Sequence, residues 1–129
     1  MFQKIACTII LILSVAFASF TTEASDAIDA FIEEVRTPSY DCPSQSLFPQ
    51  LEKTLLGESL STQQRFALTV AKGQFLICRG KYEEAEKMLL KAIMQSNIDE
   101  SSYAFASAIY QIGFSYDARE NPARCKYYK

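Results

Sequence analysis

Residues Gly73 to Ala92 read GQFLICRGKYEEAEKMLLKA. The small residues Gly73, Gly80, Ala85 and Ala92 sit where two packed helices need their backbones to approach, because a larger Cβ there would wedge them apart. Gly80 suits a helix end, and Lys81-Tyr82 begins a new helix across a very short turn. Tyr82, Ala85, Leu89 and Ala92 recur at spacings of three and four and form one apolar stripe. Glu83, Glu84, Glu86, Lys87 and Lys91 take the remaining faces. Glu83 and Lys87 make an i,i+4 pair. The stretch therefore reads as a helical hairpin with one buried and one solvated side.

The same periodicity extends in both directions. Ser25 is read as the cap of a helix through Arg36, with Ala27, Ile28, Phe31, Ile32 and Val35 at helical spacing and Asp26 and Asp29 in the first turn, where the dipole favours acids. Thr37-Pro38 ends it, and residues 38–46 form a loop rich in turn formers. A second helix spans about Leu47–Leu56, with Pro49 in its first turn. Ser61 or Thr62 caps a third through Arg79. A fourth covers Lys81–Gln95 and a fifth about Asp99–Arg119. Asn121-Pro122 opens a sixth. No segment shows the sustained alternation of a strand.

The pattern resembles a tetratricopeptide repeat. Gly73 matches the small residue of the first helix, Gly80-Lys81-Tyr82 the turn, and Ala85, Leu89 and Ala92 the second helix. Thr69, Lys72 and Leu76 depart from the family's usual residues. A second copy places Ile109, Ile112, Gly113 and Tyr116 at the aromatic, Leu, small and Tyr positions, with Cys125 in the place of Ala85. From Gly73 to Gly113 is 40 residues against a family period of about 34, so extra residues lie around Ser96–Ser102. The fold class this implies is all-α: antiparallel helix pairs stacked as a short α-solenoid. Residues 19–60 would be a divergent first pair and 61–129 the repeats. The last repeat reads as incomplete, since its final helix starts at Asn121 and the chain stops at Lys129: either the sequence is the amino-terminal piece of a longer protein, or this short helix is itself the end.

The amino terminus carries a different signal. Lys4 precedes an apolar run of 14 residues, Ile5–Ala18, short of the roughly 20 a spanning helix needs. Ala16-Phe17-Ala18 then offers a small-x-small cleavage site. Residues 1–18 read as a secretory signal peptide; an uncleaved anchor, or a cut after Ala24, are the other readings. Cleavage removes Cys7 and leaves Cys42, Cys78 and Cys125, in an oxidising compartment where a pair can bridge. If the repeats stack as the resemblance implies, equivalent turns line one edge and bring Cys42 and Cys78 to neighbouring corners. A Cys42–Cys78 disulfide is then one reading, and two small buried hydrophobes the other.

Function is bounded mostly by exclusion. The chain has no His, which rules out His-based triads and imidazole zinc ligation. Its four glycines are scattered, so no phosphate-binding loop is written. A net charge of -2 gives no basic excess for nucleic acid. No catalysis, cofactor or metal is expected. The resemblance implies a groove for a protein or peptide, lined by Val70, Gln74 and Ile77 from the first copy. Tyr110, Phe114 and Asp117 line it from the second. Packing of Tyr110 and Phe114 on a following helix is the alternative. The layout implies an exported, periplasmic binding module. It is also similar to the sensory part of a membrane-bound diguanylate cyclase or histidine kinase, which would reach the membrane through a later C-terminal span.

Overall fold

The computed structural model describes residues 22–37, 41–95 and 97–121. The chain divides into two compact units, Met1–Phe31 and Ile32–Lys129. Of the first, residues 22–31 are described and all are helical. They belong to α1, residues 22–35. This helix already includes Ser25, so Ser25 is an interior residue and not its cap. The expected signal peptide at residues 1–18, the sixth helix after Asn121 and the fate of Cys125 lie outside the described residues.

The second unit is helical throughout its regular elements. A 3-10 turn at Gln45–Leu47 leads into α2 (Phe48–Leu55), followed by α3 (Thr62–Cys78), α4 (Tyr82–Gln95) and α5 (Tyr103–Glu120). No strand occurs among the described residues. The all-α expectation therefore holds, and the boundaries shift for local reasons. Residues 99–101 stay outside α5 because Asp99 turns back on its own backbone: the Ser101 N–H and hydroxyl both donate to Asp99 Oδ1, at 2.9 and 2.6 Å. That is an Asx-type turn, which competes with helix. Ser102 then caps α5 by accepting from the Phe105 N–H.

Helix α3 starts with a full capping box. The Gln64 N–H donates to Ser61 Oγ at 3.1 Å and the Ser61 N–H to Gln64 Oε1 at 3.0 Å, satisfying two donors that a helix start leaves over. At the other end, the Lys81 N–H reaches Leu76 O and the Gly80 N–H reaches Ile77 O, both at 2.9 Å. Gly80 has φ +74°. This is a Schellman termination, and its left-handed residue suits glycine. It turns the chain from α3 into α4 within three residues.

The partners show how the helices run. Phe66 and Val70, early in α3, share a buried cluster with Leu89, and Ala92 and Ile93 of late α4 pack on it. Leu76 and Ile77, late in α3, bury early α4 at Ala85 and Tyr82. The two helices are thus antiparallel. Early α5, at Ala104 and Phe105, packs on the cluster that holds late α4, whereas Phe114 meets Tyr82, with ring centroids 6.2 Å apart. So α5 runs antiparallel to α4 and along α3. Ala85 and Leu89 are fully buried, as their stripe predicts.

On its other side α3 receives α2. Leu51 and Phe75 are buried, and the Phe48 and Phe75 rings lie 5.3 Å apart. Arg65 donates to the carbonyls of Leu55 and Gly57 at 2.7 and 2.6 Å, which satisfies acceptors that the end of α2 leaves free. Lys72 pairs with Glu52 at 2.9 Å.

Candidate functional site

A cleft opens between α3 and α5. Ala67, Val70, Ala71 and Gln74 line it from α3, and Tyr103, Ala104, Ser107 and Gln111 from α5. Helical spacing places each set on one face: positions three and four apart stack along a helix. The third wall is Ile32, Val35, Arg36 and Thr37. The Arg36 guanidinium lies 4.6 Å from the centre of the Tyr103 ring and pairs with Glu33 at 3.0 Å. The cleft has a volume of about 40 Å³, room for a few waters.

Its floor is held by one carboxamide. Gln111 is 2% exposed, and its Nε2 donates to Val70 O at 3.1 Å and to Ser107 Oγ at 3.2 Å. A Cβ added at Gly73 would run into Gln111 Oε1 and lie 3.0 Å from Leu89 Cδ1. The small residue at 73 thus admits the Gln111 head as well as Leu89. Among the described residues, Gln111 Oε1 and the buried Ser115 Oγ have no hydrogen-bond partner.

The groove residues expected from sequence fall in two places. Val70 and Gln74 line the cleft. Gln74 also donates to Asp41 O at 3.2 Å. Ile77 is buried against Leu76 and Ala85, and Phe114 packs on that same cluster. Tyr110 stacks on Phe114 at 6.3 Å. Asp117 is half-buried in the last turns of α5. The alanines, Ser107 and Gln111 were not expected. Their signal is present as small residues four apart, Ala67 with Ala71 and Ala104 with Ala108, but such a pattern reads equally as helix contact.

Beside the cleft the loop before α2 is fixed to the end of α3. Cys42 and Cys78 form a disulfide with Cα atoms 5.8 Å apart. Arg79 donates to Gln45 Oε1 at 2.9 Å and covers the Phe48 ring at 3.9 Å. Of the two readings of these cysteines, the bridged one holds.

The perturbed carboxyls lie away from the cleft. A hydrogen bond from Lys72 holds Glu52 below the usual range, with help from the Lys72 charge. Lys87 does the same for Glu83, and the Ser101 hydroxyl and N–H for Asp99. Among the described residues no group of three or more His, Cys, Asp or Glu could hold a metal ion. None of the described helices is long and apolar enough to cross a membrane. Comparison with protein-family models, curated proteins and solved structures finds no match for this chain.

Proposed function

We propose that this chain is an exported, non-catalytic helical-repeat module that binds a protein or peptide segment between α3 and α5. The observation that carries the reading is the cleft itself: two parallel helices present small and aliphatic side chains and the Tyr103 ring, with Gln74, Ser107 and Gln111 as further polar groups. Sites of this composition take an amphipathic segment by its apolar side. The α3–α4 hairpin with its glycine turn and the close approach at Gly73 support a tetratricopeptide-like unit. In that arrangement residues 1–18 are the export signal, 19–60 a divergent first pair and 61–129 the repeats. The Cys42–Cys78 bridge supports a periplasmic setting, since disulfides persist in oxidising compartments. No cofactor takes part.

Selection of a displayed peptide library on the immobilised full chain tests this. Enriched peptides should share an apolar spacing, and Ser107→Trp, whose indole overfills and blocks the cleft, should weaken them by about tenfold or more. Peptides that bind Ser107→Trp as well as wild type, or a selection that enriches nothing, would remove the groove.

A further inference from the structure

The geometry points to residues 32–37 as a plug seated in this groove, which a ligand helix of the same chemistry must displace. The inference rests on the peptide-binding reading above and names the partner it fits. Val35 is 1% exposed, on a turn that carries Ile32 three residues earlier. Both face the cleft, and Arg36 at its rim covers the Tyr103 ring. What they leave open is about 40 Å³. That is space for water and not for a peptide side chain such as leucine, so the groove is already taken by the chain's own segment.

The occupant defines the ligand. Helix-in-groove recognition reads apolar anchors three and four apart, and the seated segment offers Ile32-x-x-Val35-Arg36. The partner is therefore an amphipathic helix with two aliphatic residues three apart, followed directly by an arginine. The aliphatic pair fills the floor beside Val70 and Ala104, and the guanidinium stacks on Tyr103.

The plug cannot drift far when displaced. The Thr37 hydroxyl donates to Asp41 O at 3.0 Å, Gln74 holds the same carbonyl, and Cys42 is bridged to Cys78. A segment tethered this closely competes at a high effective concentration. A groove self-occupied in about 99% of molecules lowers apparent affinity for an outside ligand about 100-fold. Wild type thus binds more weakly than the unplugged groove would while still binding, and loosening the plug strengthens that binding.

A fluorescent synthetic peptide of residues 27–37 is the probe, titrated into the full chain and followed by anisotropy. Val35→Asp, which expels the plug, should bind the peptide at least about tenfold more tightly than wild type. Adding Ser107→Trp to Val35→Asp should abolish that gain. If Val35→Asp keeps its helical circular dichroism but binds no more tightly, the plug is refuted, while library peptides bound by wild type still stand. If Ser107→Trp leaves the gain intact, the peptide sits elsewhere and the groove falls with it. Should Val35→Asp lose its native spectrum, Arg36→Glu replaces it. That change spares the buried valine and removes the stack on Tyr103. It should raise affinity about threefold or more, and no rise refutes the plug.

Discussion

Two glycines of the same sequence pattern behave differently. At Gly73 an added methyl meets Gln111 Oε1 and both Leu89 methyls, all on buried side chains. At Gly113, among the described residues, a methyl meets nothing within 4 Å. Gly73→Ala should therefore destabilise by about 1–3 kcal/mol through overpacking. Gly113→Ala should stabilise by about 0.5–1 kcal/mol, because alanine suits a helix interior better than glycine. Urea midpoints with unchanged slopes would measure both. A loss at Gly113 would mean that a further element packs on that face. The need for a small residue at 73 was legible in the sequence, but its partner was not. A glutamine on a helix reads as exposed, and Gln111 became a buried strut because the α3 carbonyl of Val70 offered it an acceptor.

At the scale of elements, the hairpin of α3 and α4 was the most legible part. Its stripe, its glycine turn and its caps all agree, and each is local in sequence. The start of α5 was less so, because Asp99 and Ser101 bond each other and take one turn away from the helix. The wall formed by residues 32–37 could not be read either. It depends on packing between segments more than thirty residues apart, which no periodicity encodes. Among its described residues, the loop before α2 is held by the Cys42–Cys78 bridge, the Gln45–Arg79 contact and the Gln74–Asp41 bond. Closing a loop with a sequence separation of 36 is worth about 4 kcal/mol in the chain-entropy account. The double change Cys42→Ala and Cys78→Ala should lower stability by about that much, measured by urea denaturation. Equal stability of the oxidised and dithiol-reduced protein would contradict it.

For the whole molecule, acid response follows from its carboxyls. Glu52, Glu83 and Asp99 are each held below their ordinary values in the fold. Just below those values the unfolded chain binds more protons than the folded one, so stability rises with pH there. The contribution is complete above the ordinary range, near pH 4.5 for Glu52, and is lost as pH falls through the depressed folded value. Glu52→Gln removes the pair between α2 and Lys72. Its denaturation midpoint should fall less steeply than that of wild type between about pH 5 and pH 3. Identical slopes would show that the Lys72 contact does not persist in solution.

Synthesis runs from the amino end, so Cys42 lacks its bridging partner until Cys78 has been joined on. During that interval α3, which must position the second sulfur, is still being synthesised. Correct linkage therefore waits for the α3 coil to wind, and a strong oxidant acting earlier would capture Cys42 with whatever thiol is at hand. The order of synthesis makes coil formation the step that protects the cross-link.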